Sequence, residues 1–142
     1  MESKQEAPPG TQRPTGGTVR VLVIDDDEDI RSLLADILAS AGHPVTEARS
    51  GPEAVEIFKK DKFDLVLTDL EMPEMSGWEI ARMLKGLAPN IMIALITGRG
   101  ETIESTRLQE SGIDTIVSKP FRMDQILCLA AAAGARMVCP DQ

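Results

Sequence analysis

The stretch Asp64–Gly77, with the sequence DLVLTDLEMPEMSG, decides the fold of this chain. Its apolar run over residues 65–68 leads directly into the acid Asp69, and an irregular segment containing Pro73 follows. Ser76 then opens a pattern that is typical of a helix. A hydrophobic strand that ends in a carboxylate before a stiff, proline-containing loop indicates that the carboxylate is held at the strand end for a function. The pattern therefore predicts that Asp69 is a functional group at the end of a buried strand.

Four further strands accompany this one along the chain. The five candidate strands begin near residues 19, 44, 64, 91 and 114, and one helical pattern separates each consecutive pair. Alternating strands and helices favour an α/β fold, in which helices cover both faces of a parallel sheet. The second and fifth strands are short and polar, which indicates the edges of the sheet. The sequence thus predicts a doubly wound, five-stranded sheet of order 2-1-3-4-5, the flavodoxin-like arrangement.

Helical periodicity accounts for the segments between the strands. The first helix carries an apolar stripe, which consists of Ile30, Leu33, Leu34, Ile37, Leu38 and Ala41. The third helix, over residues 77–86, shows the same spacing at Ile80, Met83, Leu84 and Leu87. The fourth helix, over residues 102–111, has few large apolar residues, so we expect it to be weakly buried and easily shifted. A fifth helix runs from Met123 to near Gly134.

Composition and charge restrict the class of protein. The 142 residues suffice for one domain with a sizeable core. We expect a flexible tail over residues 1–17, where apolar side chains are almost absent, a folded domain over 18–136 and a short tail over 137–142. The net charge is −8 and no basic run is present, which argues against nucleic acid and anionic membranes as partners.

The expected location is the cytoplasm. No signal peptide is visible, and the longest weakly polar run, residues 126–135, is too short to span a bilayer. Cys128 and Cys139 lack the spacing of metal ligands, and Cys128 lies in an apolar helical pattern, so we expect it to be a small buried side chain in a reducing compartment. His43, the single histidine, is expected to be a solvated turn residue.

Four of the five predicted strands end in side chains that could bind a phosphoryl group. Asp25 and Asp26 follow the first strand, Asp69 the third, Thr97 the fourth and Lys119 the fifth. Since ligands of such sheets bind outside the carboxyl ends of the strands, these side chains should meet at one rim. Three clustered carboxylates require a cation or a raised pKa, and an all-oxygen ligand set suits Mg²⁺. The hydroxyl and the ammonium group would hold the equatorial oxygens of a phosphoryl group.

Each of these features has a plainer explanation when it is taken alone. Acids that open a helix usually compensate the helix dipole, Thr97 and Gly98 fit a simple turn, and Lys119 fits a solvated strand end. Asp69 could cap a turn. Their joint occurrence at equivalent strand ends favours a site, because chance would scatter them over both ends of the sheet. The sequence therefore predicts that Asp69 is a phosphate-accepting nucleophile.

Four motifs follow one another at these strand ends. They are VLVIDDDEDIR (21–31), LVLTDLEMPEMSG (65–77), ALITGRG (94–100) and VSKPF (117–121). In this order they resemble the motifs of the response-regulator receiver domain of two-component signalling, and the resemblance spans roughly residues 20–135. It implies that the Asp69 carboxylate attacks the phosphorus of a phosphohistidine on a sensor histidine kinase or a histidine phosphotransfer protein.

The resemblance also implies a role for each matching residue. Asp26, Asp69 and the backbone carbonyl of Glu71 would bind Mg²⁺ directly, and Asp25 would bind it through a water molecule. Thr97 would be the switch hydroxyl, Lys119 would bind the phosphoryl group, and the Lys119–Pro120 peptide would be cis. The positions that bind phosphate or tune the rate of dephosphorylation would be Gly98, Glu71 and Arg99. The opposite charges of Glu71 and Arg99 predict a pair across the pocket that obstructs water and slows autodephosphorylation.

One position departs from the family pattern. Ile116 stands where the family usually has Tyr or Phe, an aromatic ring whose rotamer is coupled to the switch hydroxyl. We therefore expect the signal to depend more on backbone shifts around Gly98 and on the weakly packed fourth helix. The resemblance implies that a downstream protein binds the face formed by the fourth helix, the fifth strand and the fifth helix.

The expected function is that of a stand-alone receiver, since the chain ends about where the fifth helix does. An enzyme alternative is a haloacid-dehalogenase-like phosphatase with Asp25 as nucleophile, because Asp25, Asp27, Thr97 and Lys119 imitate its motifs. Position 29 is Asp rather than Thr or Val, and that alternative leaves Asp69 without a role. A scaffold that is never phosphorylated is a third possibility, which the completeness of the site disfavours.

Overall fold

The computed structural model describes residues 19–70, 72, 74–98 and 112–135. Strands and helices in this part of the chain follow the order β1 (Val21–Ile24), α1 (Glu28–Ser40), β2 (Val45–Ala48), α2 (Gly51–Lys60), β3 (Leu65–Asp69), α3 (Gly77–Leu87), β4 (Met92–Thr97), β5 (Thr115–Ser118) and α4 (Met123–Ala135). The predicted fourth helix and both predicted tails lie outside the described residues. Helix α4 is therefore the fifth helix of the sequence prediction.

The five strands form one parallel sheet of order β2-β1-β3-β4-β5, which confirms the predicted order. Strands β1, β3 and β4 lie inside the sheet and are almost wholly buried, as their continuous apolar runs require. The register pairs Ile24 with Thr68, Asp69 with Ile96, and Thr97 with Ser118. The residues that follow these pairs therefore reach the same rim of the sheet.

Alternate side chains of each strand fill two separate cores. Val21 and Val23 belong to the core beneath α1 and α4, whereas Leu22 and Ile24 belong to the core beneath α2 and α3. Burying a large aliphatic side chain stabilises the fold by about 1.5–3 kcal/mol. Because both cores are filled from the same strands, a strand cannot slip by one residue without exchanging its two faces. The positions of the strand ends are thereby held in register.

Helix caps set where the chain turns away from the rim. The Asp27 side chain accepts from the backbone amides of Asp29 and Ile30 at the start of α1. At the start of α3, Ser76 and Glu79 form a reciprocal capping box. Such caps contribute about 1 kcal/mol each. They define two of the loops in which site residues lie.

Some side chains of the predicted apolar stripes are exposed instead of buried. Leu33 in α1 is 47% exposed, and Met83 and Leu87 in α3 are 43% and 50% exposed. A helix that packs against one face of a sheet buries a limited arc, and the residues at the edge of that arc point to solvent. In α3, Trp78 and Ala81 are buried in their place.

Two further expectations were wrong. His43 is buried, and its Nδ1 accepts a hydrogen bond of 3.0 Å from the backbone amide of Val19, since the α1–β2 turn packs against the start of the first strand. Cys128 is half-buried and disulfide-bonded, so it is not the free buried thiol that the sequence predicted. Among the described helices, none has the length and apolar character needed to cross a membrane.

Candidate phosphoryl-transfer site

Three carboxylates meet at the carboxyl end of the sheet. Asp25 and Asp26 follow β1, and Asp69 is the last residue of the neighbouring strand β3. One oxygen from each carboxylate lies within 4.8 Å of the other two. Asp25 is buried, Asp26 is exposed and Asp69 is half-buried, so the cluster forms a recess that opens to solvent on the side of Asp26.

Burial and mutual repulsion change the acidity of this cluster. Burial raises the pKa of Asp25 to about 6; the Asp27 amide lowers the pKa and the neighbouring Asp69 raises it. Burial also raises the pKa of Asp69, and the Lys119 ammonium opposes that rise. The folded chain therefore brings three acidic groups together where a cation would be stabilised, and Asp25 and Asp69 retain their protons more readily than free carboxyl groups do.

Lys119 supplies the positive charge of the site. Its Nζ donates to Asp69 Oδ1 at 3.2 Å, and the side chain is 30% exposed while that of Asp69 is 12% exposed. The backbone amide of Lys119 donates to the carbonyl of Thr97 at 2.8 Å, which ties the end of β5 to the end of β4. The Lys119–Pro120 peptide is cis, as the resemblance to receiver domains implied.

Thr97 and Gly98 lie at the end of β4, next to β3. Thr97 is buried, and the register places it one residue beyond Ile96, the partner of Asp69. Gly98 is an exposed turn residue. Ile116 in β5 is half-buried and packs against the core beneath α2 and α3. The sheet thus brings Thr97 and Lys119 to the rim that carries Asp69, whereas Glu71 and Arg99 lie outside the described residues.

The loop after β3 lies close against its surroundings. The Gly77 amide donates to the Leu70 carbonyl at 2.8 Å, and an added Cβ at Gly77 would lie 2.6 Å from the Asp69 carbonyl oxygen. On the other side of the loop, Met75 contacts Gly51 at the start of α2 so closely that a Cβ at Gly51 would overlap it. Glycine at these two positions therefore lets the loop approach the sheet and α2.

An open groove of about 570 Å³ runs beside the recess. It is lined by Asp26, Arg49, Ser50, Glu53, Met72 and Glu74. It lies between the N-terminus of α2 and the loop after β3. This position gives a group on another molecule a path to the exposed side of the carboxylate cluster.

The donor set of the cluster fits Mg²⁺. The three candidate ligands are all carboxylates, which hard divalent cations prefer. Their number leaves coordination positions for water and for a phosphoryl oxygen, as Mg²⁺ sites commonly have. Two of the three carboxyl groups have raised pKa values, a sign that the folded chain leaves their negative charge only partly compensated.

One charged residue of this region escaped the sequence prediction. Arg31 is buried in α1, with Nη1 donating to the Asp25 carbonyl at 2.9 Å and Nε donating to Glu47 Oε1 at 3.0 Å. A signal was present, since Arg31 lies three residues before Leu34 and seven before Leu38, on the buried side of the helix. An arginine at such a position requires a polar partner in the interior.

Comparison with known protein families gives a match over most of the chain. The family model for the response regulator receiver domain matches residues 21–131. The response regulator MprA of Mycolicibacterium vanbaalenii is 32% identical over 123 residues, which cover 87% of this chain and 53% of that protein. MprA of Mycobacterium tuberculosis strain H37Rv is 33% identical over 110 residues, or 78% and 48% of the two chains. The chain thus spans about half the length of these relatives.

Solved structures with the same fold include a response regulator receiver domain protein from Clostridium thermocellum. It is 28% identical, with a TM-score of 0.76 over 82% of this chain and 94% of that one. The response regulator protein TrrA from Thermotoga maritima, solved in complex with Mg²⁺-BeF, is 33% identical, with a TM-score of 0.69 over 75% and 91% of the two chains.

Proposed function

Since this chain belongs to the response-regulator receiver domain family, we propose that it accepts a phosphoryl group on Asp69 in two-component signalling, with Mg²⁺ bound by the neighbouring acids. The observation that carries this proposal is the meeting of Asp25, Asp26, Asp69 and Lys119 at one rim of the sheet. Thr97 completes the set from the adjacent strand. The protein is a switch in this proposal and not an enzyme with a separate substrate.

The proposed transfer is an in-line displacement. A carboxylate oxygen of Asp69 attacks the phosphorus of a phosphohistidine, an oxygen–phosphorus bond forms, and the phosphorus–nitrogen bond breaks with its electron pair going to the imidazole. The product is an aspartyl phosphate. Attack requires Asp69 to be ionised, and the Lys119 ammonium, 3.2 Å away, favours that form. Catalysis of this kind is mostly positioning and charge neutralisation.

The remaining residues bind the oxygens of the transferred phosphoryl group or hold the metal ion that neutralises its charge. Lys119 would bind one phosphoryl oxygen, and the Thr97 hydroxyl would bind another from the neighbouring strand end. Asp25 and Asp26, with Asp69 and the Glu71 carbonyl, would hold Mg²⁺, which supplies the positive charge that lets an anionic carboxylate approach an anionic phosphoryl group. The complex of the related TrrA with Mg²⁺-BeF supports the same chemistry for this chain.

The proposed phosphodonor is a sensor histidine kinase or a histidine phosphotransfer protein. The open side of the recess at Asp26 supports access by a group on another protein. In the proposal, phosphorylation then changes the binding of a downstream protein to the face that includes β5 and α4. Residues 94–97 of β4 pair with residues 115–118 of β5, so a change at the end of β4 would reach β5 directly through the sheet.

The decisive experiment is incubation with acetyl phosphate and Mg²⁺, followed by intact-mass measurement. We expect the wild type to gain one phosphoryl group, and Asp69→Asn to gain none. A chain that gains no phosphoryl group from acetyl phosphate or from a phosphorylated histidine phosphotransfer protein would contradict the proposal. Phosphorylation of Asp69→Asn equal to wild type would place the acceptor elsewhere.

No observation favours the phosphatase alternative. In that alternative Asp25 would be the nucleophile, yet Asp25 is 1% exposed and its Oδ1 already accepts from the Asp27 amide at 2.9 Å. The ammonium of Lys119 faces Asp69. Turnover of p-nitrophenyl phosphate that Asp25→Asn abolishes and Asp69→Asn leaves intact would restore this alternative.

A further inference from the structure

Arg31 connects α1 to the two strands at the β2 side of the sheet. Its side chain is 9% exposed, and that of its partner Glu47 is 42% exposed. The Nε hydrogen is directed to Glu47 in β2 and an Nη1 hydrogen to the carbonyl of Asp25, directly after β1. The guanidinium group therefore donates one hydrogen bond to an exposed carboxylate and one to a buried carbonyl.

That acceptor is the last buried carbonyl before the chain leaves the sheet. The paired register of β1 ends at Ile24, opposite Ala48 on one side and Thr68 on the other. Asp25 is nevertheless held at three points. Its amide donates to the Ala48 carbonyl at 3.2 Å, its carboxylate accepts from the Asp27 amide at 2.9 Å, and its carbonyl accepts from Arg31. Together these bonds fix the peptide planes on both sides of Asp25.

The orientation of the Asp25–Asp26 peptide decides the direction of the Cα–Cβ bond of Asp26 and so the region that its carboxylate can reach. Asp26 is exposed, and within residues 19–70, 72, 74–98 and 112–135 no hydrogen bond holds its carboxylate. The backbone is therefore what keeps this side chain close to the other two acids. A buried carbonyl that loses its donor costs about 1–3 kcal/mol, and rotation of the peptide toward another donor would relieve that cost. Such a rotation would move the Asp26 carboxylate away from Asp25 and Asp69.

We infer that Arg31, oriented by Glu47, is a positioning residue of the magnesium site, holding the Asp25–Asp26 peptide so that both carboxylates face the ion. This inference rests on the proposed function, since it concerns the same site. Lysine cannot replace the guanidinium, because its single ammonium lacks the planar fork that directs separate hydrogens to Glu47 and to the Asp25 carbonyl. Groups that hydrogen-bond to metal ligands commonly change metal affinity by about 10–100-fold when they are removed.

The test is a calorimetric titration of the full chain with Mg²⁺ at about pH 7.5. We expect Arg31→Lys and Arg31→Gln to raise the Mg²⁺ Kd by about 10–100-fold, and Glu47→Gln, which keeps an acceptor but loses the charge, to raise it less. Phosphorylation by acetyl phosphate should then need more Mg²⁺ but reach the wild-type rate at saturating Mg²⁺. A purely structural role would lower the melting temperature and leave the Kd unchanged.

The matched control is Arg20→Gln. Arg20 lies just before β1, at the opposite end of that strand, and its guanidinium pairs with Asp61 at 2.7 Å. We expect this variant to keep the wild-type Kd for Mg²⁺. If Arg31→Gln does not fold, Arg31→Lys and Glu47→Gln decide the question.

The possible failures are distinguishable. Wild-type affinity, within twofold, in every folded Arg31 and Glu47 variant would overturn the inference, while loss of binding in Asp26→Asn would still support the proposed site. Absence of Mg²⁺ binding in the wild type would overturn both. A raised Kd in Arg20→Gln as large as that in Arg31→Lys would also overturn the inference, because the effect would then come from general destabilisation.

Discussion

Replacing Gly77 by Ala tests how tightly the loop after β3 is packed against the strand that ends in Asp69. A Cβ at this position would lie 2.6 Å from the Asp69 carbonyl oxygen, 2.6 Å from Leu95 Cδ1 and 3.1 Å from Leu70 Cα. Leu95 is fully buried, and the other two atoms belong to the backbone. The strain can therefore be relieved only by moving the end of β3 or the start of α3. Overpacking of this kind costs about 1–3 kcal/mol.

The measurement is urea unfolding followed by circular dichroism. With a slope of about 1.5 kcal/mol per molar urea, the loss corresponds to a fall of about 1 M in the unfolding midpoint. Because the displaced atom is the carbonyl oxygen of Asp69, we also expect slower incorporation of phosphate from acetyl phosphate.

Gly86 provides the matched control in the same helix. It is exposed, and a Cβ there would meet no heavy atom within 4 Å. Gly86→Ala should therefore raise the free energy of unfolding by about 0.5–1 kcal/mol, because alanine favours the helix more than glycine does. Equal midpoints for the two variants, or a Gly77→Ala variant more stable than the wild type, would refute the argument from close packing.

Three further predictions concern charged groups. Burial lowers the pKa of His43 below 6.5, so its contribution to the free energy of unfolding is present above about pH 6.5 and is lost as the pH falls through the folded-state pKa. His43→Gln should reduce the difference between the urea unfolding midpoints at about pH 5 and pH 7.5. An unchanged difference would contradict this prediction. Burial raises the pKa of Asp25 from 3.8 to about 6, so the contribution of this group to the free energy of unfolding is fully present below pH 3.8 and is lost as the pH rises through about 6. Without Mg²⁺, Asp25→Asn should therefore raise the free energy of unfolding at about pH 7.5 by up to about 3 kcal/mol and have little effect near pH 3.5. Lys119→Met removes the ammonium 3.2 Å from Asp69 and should slow phosphate incorporation by about 100-fold in an intact-mass time course, whereas a wild-type rate would exclude the assigned role.

The order of the strands was predictable from local periodicity together with the strand order of flavodoxin-like sheets. Apolar runs alternate with helical stripes, short polar strands belong at edges, and the flavodoxin-like order 2-1-3-4-5 satisfies both conditions. The same logic placed the candidate site residues together, since the carboxyl ends of parallel strands reach one rim of the sheet. Asp69, Thr97 and Lys119 were predictable for that reason, although 50 residues separate the first from the last.

Other features could not be predicted, because they depend on which residues meet in space. His43 was expected in solvent and is buried, because the segment just before β1 packs against it and the Val19 amide donates to its ring. Leu33 and Met83 follow the helical stripe but lie at the edge of the buried arc. Periodicity places a residue on one side of a helix, and the packing partner decides how far burial extends around that side.

The sequence by itself determined the strands, their order and the candidate site residues at four of the five strand ends, because these follow from local patterns and from the geometry shared by all parallel sheets. Only the tertiary structure decided the distances and the supports: the contact between Lys119 and Asp69, the bond from Arg31 to the Asp25 carbonyl, and the lack of space at Gly77. These depend on three or more elements packing together. No single segment carries that information, because each contact exists only when the sheet and both helical layers are in place.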